Sequence, residues 1–196
     1  MKKILACFFV MTISMFFYGC QQNITTPNPM NEKIDNPKKK GSETEQADIF
    51  DFKHIDKVPE TNEKQPIDNV IKVFFDESTF EKPYEAVAID IENNEVYANP
   101  IIGQRGLRAQ DGIVEINNAE NVLDILEQYE VQMWDKEYSP EQTDANEDGY
   151  SWQLLLQYVD GTVEKHEGTE EDEVPPEFND VAEKLRDFAD DRLEDH

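Results

Sequence analysis

Asp144-Ala145-Asn146-Glu147-Asp148-Gly149 is the stretch of this 196-residue chain whose residue types and spacing come nearest to a defined chemistry. Oxygen donors at the first, third and fifth places followed by glycine fit the first half of a calcium loop, because alternate oxygens curl round a hard cation and glycine permits the sharp turn. The twelfth position is Leu155 where a bidentate glutamate belongs, and a strand pattern follows, which excludes an EF-hand. Two expectations stand: a looser calcium site on Asp144, Asn146 and Asp148, or a solvated acidic loop. Arg105-Gly106-Leu107-Arg108 is a close basic pair in a strongly acidic region, with Gly103, Gly106 and Gly112 marking a mobile or turning loop. Arg105 and Arg108 either receive an anionic ligand or pair with carboxylates of their own domain.

Catalysis has little to draw on. His54 lies in a polar N-terminal stretch, His196 stands at the end of the sequence and His166 is alone in an expected strand. No Ser/His/Asp arrangement or His-rich zinc site assembles from these positions. Glu170-Glu171-Asp172-Glu173 precedes Pro175-Pro176 and reads as a solvated acidic loop near a helix start, where negative charge complements the macrodipole. Tyr150, Trp152 and Tyr158 could stack on sugar or peptide, but their alternation makes them core. The expectation is a protein that is not an enzyme and uses no cofactor beyond calcium.

The elements that position these residues can be read from period and turn signals. Val70–Phe75 and Ala86–Ile91 read as strands, with Asn93-Asn94 as a two-residue hairpin turn into Glu95–Ala98; Gly112–Ile116 is another strand. Asn117, with Glu120 three places on, resembles a capping box for a helix whose Val122, Ile125, Leu126 and Tyr129 share a face. Val131–Trp134 reads as a short strand. Tyr150, Trp152, Leu154, Leu156 and Tyr158 then alternate into an Asp160-Gly161 turn, and Thr162–His166 returns. Pro175-Pro176 opens a helix in which Phe178, Val181, Leu185 and Phe188 repeat at helical spacing, and the polar end of the chain should fray. Strands in runs, with one helix among them and one after, give an α+β domain: an antiparallel sheet with about two helices packed on it.

Charge divides the chain further. Its 44 acidic and 18 basic side chains leave −26, a balance that repels phosphate backbones and excludes a nucleic-acid binder. Residues 67–196 hold 35 of the acids and nine of the bases, whereas residues 21–66 hold nine and seven. That earlier stretch is rich in Pro, Asn, Thr, Lys and Glu without sustained periodicity, so it reads as a disordered tether with a reach on the order of 35–40 Å. Its one apolar spot, Ile49-Phe50-Asp51-Phe52, is read as a transient cluster, an extra strand laid on the domain, or a docking motif.

Lys2-Lys3 and the uncharged run Ile4–Tyr18, ending in Gly19-Cys20, have the parts of a secretory signal peptide and fall short of a spanning helix. With Gly19 before Cys20, the segment resembles bacterial lipoprotein precursors, although Phe17 and Tyr18 depart from the usual aliphatic and small residues there. The resemblance implies removal of residues 1–19, a diacylglycerol thioether on Cys20, and anchoring at the outer face of the membrane. Two acyl chains give stable anchoring where one is marginal. Cys7 would leave with the peptide, so no free thiol would remain. The stretch from Tyr150, carrying Trp152, Tyr158, Asp160-Gly161, Gly168 and Phe178, is similar to small lipoproteins of Gram-positive bacteria; that likeness implies no particular chemistry. The layout is thus a signal peptide (1–19), a lipidated cysteine and tether (20–66), and an acidic domain (67–196). The partners expected are the membrane, through the lipid, and a cationic protein or cell-wall component. Three functions fit: a binding module, an inhibitor or immunity-type module capturing a cationic toxin or wall hydrolase, or a cell-wall enzyme using paired carboxylates.

Overall fold

The structure, a computed structural model, describes residues 48–79, 84–139 and 149–194. Cys20 and the Asp144, Asn146, Asp148 loop lie outside the described residues. The strands are β1 (Val70–Ser78), β2 (Glu85–Asp90), β3 (Glu95–Gly103), β4 (Gly106–Glu115), β5 (Glu137–Tyr138), β6 (Ser151–Tyr158) and β7 (Val163–Gly168). They form one sheet in the order β4-β3-β2-β1-β6-β7-β5. Every neighbouring pair is antiparallel except the short β5–β7 contact. Helices α1 (Val122–Gln128) and α2 (Phe178–Glu194) complete the α+β domain expected from the sequence.

The sheet is covered on both faces, which explains why its central strand β1 is an almost unbroken apolar run. Val73 and Phe75 join Ile89, Val96, Trp152, Leu154, Leu156 and Tyr158 in a core closed by Leu126 of α1 and by Phe178, Val181 and Leu185 of α2. The expected helix faces and the β6 stripe are therefore core. On the opposite face Phe74, Ala88, Leu107 and Leu155 pack against Phe52, Ile55 and Val58.

Those last three residues correct the tether boundary. Residues 48–66 belong to the folded domain: Phe52–Lys57 is a 3-10 helix whose Phe52 and Ile55 are buried, with Val58 just beyond. A 3-10 turn repeats every three residues, so three apolar side chains at that spacing make a complete face without sustained periodicity. Asp51 caps it through Lys53 N, and Phe52 meets Tyr97 edge-on at 5.0 Å. The chain then runs beside β7, with Thr61 N donating to Val163 O and Val163 N to Pro59 O. We call residues 48–66 the strap.

Other boundaries also differ from the sequence reading. The region of Gly103, Gly106 and Gly112 is a β3–β4 hairpin, with Gly103 opposite Gly106 across Gln104-Arg105. Gly106 is required there: its φ is +89°, and a Cβ would lie 1.9 Å from Lys53 O of the strap. Asp90 pairs with Glu95, so the β2–β3 connection is the four residues Ile91–Asn94, not two. Val131–Met133 is a 3-10 turn where a strand was expected. No capping box forms; Ala119 N instead donates to Asn94 Oδ1 across the fold at 3.3 Å. The polar end is helical to Glu194, where Arg192 stacks 3.4 Å from the Phe188 ring centroid and donates to Phe188 O. Among the described residues no helix is long and apolar enough to cross a membrane.

Candidate functional site

The described residues among those singled out in the sequence do not converge on one site. Arg105 sits in the β3–β4 turn and Arg108 on β4 opposite Ile101; both are exposed. Among the described residues neither makes an ion pair. Glu171, Asp172 and Glu173 are exposed in the loop before α2. Among the described residues no group of three or more His, Cys, Asp or Glu side chains could hold a metal ion. Two hollows gather polar side chains that the sequence did not connect.

The first lies over β7. Glu164 and His166 are two residues apart on a strand and therefore share a face. His166 Nδ1 is 2.9 Å from Asp135 O, and Nε2 is 3.0 Å from Glu164 Oε1. A carbonyl only accepts, so Nδ1 carries hydrogen; a neutral ring would then oppose the carboxylate lone pair to lone pair. A further proton must lie between Nε2 and Oε1. Tyr158 Oη donates to Glu164 Oε2, and Gln132 Nε2 donates to Tyr158 Oη at 2.9 Å and to Gln65 O at 2.7 Å. Burial alone would raise the Glu164 carboxyl, but hydrogen bonds from His166 and Tyr158 outweigh it and hold the group below its ordinary range. Burial, then the adjacent carboxylate, raises the Tyr158 hydroxyl. The cluster borders a hollow of about 170 Å³ lined also by Thr61, Lys64, Trp134 and Lys136. Both imidazole nitrogens are engaged, so accepting a substrate proton would cost an existing bond. The arrangement clamps β7 to the turn after α1.

The second hollow arises from the sheet itself. β2 stays in register with β1 as far as Glu77↔Glu85, and β3 with β4 as far as Gly103↔Gly106. Between β2 and β3, however, only Ile89↔Val96 and Asp90↔Glu95 pair. Beyond Val96, β3 is irregular: its register with β4 shifts between Ala98 and Pro100, Asn99 has φ +47°, and Pro100 has no N–H to give a ladder. Past Val96 β2 and β3 part, and a cleft of about 470 Å³ opens beside the C-terminal half of α2.

Tyr84, Glu85, Tyr97, Asn99, Gln110 and Asp190 line this cleft, with Val87, Ala189 and Leu193 as apolar wall. Arg186 also borders it, bound to Glu77, with Nε 2.9 Å from Glu85 Oε2 and its guanidinium 5.4 Å from the Phe75 ring centroid. Tyr84 Oη donates to Asp76 Oδ2 at 3.0 Å. Burial pushes the Asp76 carboxyl up, against hydrogen bonds from Gln153 and Tyr84 that pull it down. Tyr97 is pushed up to about 12 by burial first and then by nearby carboxylates, Asp90 foremost. Aromatic faces, amides and a surplus of carboxylate make the cleft suited to binding.

A bulge signal at Asn99-Pro100 was available in the sequence, since proline inside a strand run marks an irregular or edge position. The spacing of Glu164 and His166 was available too. The chain matches no protein-family model, no curated protein and no solved structure.

Proposed function

We propose that this chain is a bacterial surface lipoprotein, lipidated at Cys20, that presents its acidic α+β domain at the outer face of the cell membrane as a non-enzymatic binding module. The observation that carries this reading is the division of charge: 40 acids against 12 bases in residues 48–196, the strap included, but four against four in residues 21–47. An anionic lipid surface repels the first part and tolerates the second, so the domain faces outward. The engaged nitrogens of His166 favour binding over chemistry. So does the placement of the raised carboxyls: Asp76 lies opposite Ala86, and Glu95 lies opposite Asp90, four residues further along β2. At strand rise that is roughly 13 Å, beyond the separation of a paired acid and base acting on a glycan.

The surplus charge also favours a second, narrower reading: capture of a cationic toxin or wall hydrolase, whose approach such a surface would steer and salt would weaken. Lipidation is tested by fatty-acid labelling in a bacterial host. Wild type should label and fractionate with membranes, and Cys20→Ser should do neither; equal labelling of the variant refutes the anchor.

A further inference from the structure

We infer that the cleft between β2 and β3 is a pocket for an arginine or lysine side chain of a basic partner. The inference rests on the reading of the domain as a module for a cationic ligand and assigns that ligand a place. Three observations converge on it. The β2–β3 ladder ends at Ile89↔Val96 while β2 remains paired with β1 and β3 with β4, so the space is part of the strand architecture and not a gap between loose loops. Among the described residues its local charge is negative: Glu85 and Asp190 line it with one cation, Arg186, which Glu77 and Glu85 already neutralise.

The third observation is what the site already holds. Arg186 places a guanidinium against the Phe75 ring and between two carboxylates at the border of the cleft. The rest of the lining repeats those ingredients with Tyr84, Tyr97 and Asp190, and Asn99 and Gln110 add amide oxygens that accept from N–H. A cation beside aromatic faces and a carboxylate is held by both. The apolar wall of Val87, Ala189 and Leu193 suits the methylene stem behind such a head group.

The test is calorimetric titration of the full chain in non-ionic detergent with an acetylated hexa-arginine amide at low salt. Gln110→Trp fills the cleft from an exposed strand position without changing charge. Asp190→Asn removes one carboxylate of the lining, and Glu127→Gln removes one charge from the exposed face of α1 as the control. Wild type should bind, Gln110→Trp should weaken binding by about tenfold or more, and Asp190→Asn should weaken it more than Glu127→Gln does. Binding by Gln110→Trp and Asp190→Asn that equals that of the control overturns the cleft while leaving cationic capture standing. Failure of wild type to bind overturns capture and, with it, the pocket. Melting curves confirm that Gln110→Trp is folded; where it is not, Asp190→Asn against Glu127→Gln decides alone.

Discussion

At the scale of single residues, the His166–Glu164–Tyr158 chain shows how few atoms tie distant segments together. Tyr158 belongs to β6, Glu164 and His166 to β7, and Asp135 and Gln132 to the turn after α1; Gln132 reaches on to Gln65 of the strap. Glu164 is ionised in the fold below its ordinary value of 4.5. Its contribution to stability is therefore complete above that value and is lost as pH falls through the lower, folded value. Thermal melts between pH 6 and 3 should show this loss, and Glu164→Gln should flatten that part of the profile. At neutral pH the same variant should cost about 1–3 kcal/mol, because it replaces hydrogen bonds to a buried carboxylate by weaker neutral ones. An unchanged acid limb would contradict the assignment. The sequence contained one clue, the i, i+2 spacing of Glu164 and His166; nothing in it pointed to Asp135 O or Gln132.

At the scale of elements, the strap and the β3 bulge decide more than any helix. Without residues 48–66, Phe74, Leu107 and Leu155 would lie bare on a sheet face, a patch that invites association. Phe52→Ala should destabilise by about 3–5 kcal/mol, measured by chemical denaturation, since Phe52 is buried and also stacks on Tyr97. A loss under about 1 kcal/mol would mean the strap is dispensable. Strong local signals made the other elements legible: alternation in β6, helical spacing in α2, and an Asp-Gly turn whose Gly161 has φ +82°. The strap was not legible because its face spans three residues in a polar stretch. Likewise Val131–Met133 has strand-like composition, yet tertiary contacts wind it into a turn.

At the scale of the whole molecule, the net charge of −26 governs behaviour in solution. Like charges crowded on one domain repel, and ions screen them within about 10 Å at 0.1 M salt. Raising sodium chloride from about 10 mM to 0.5 M should raise the melting temperature while weakening the binding of any cationic ligand; a melting temperature that falls would refute net repulsion. By itself the sequence determined the excess of acid and the α+β class, because composition and hydrophobic period are properties of local stretches. Only the tertiary structure decided that residues 48–66 belong to the domain, that Arg105 and Arg108 do not line either hollow, and that a cleft opens between β2 and β3. Those outcomes depend on which segments meet across long loops: the strap folds because a second sheet face needs cover, and the cleft exists because β2 and β3 pair over only two positions while each keeps its other neighbour.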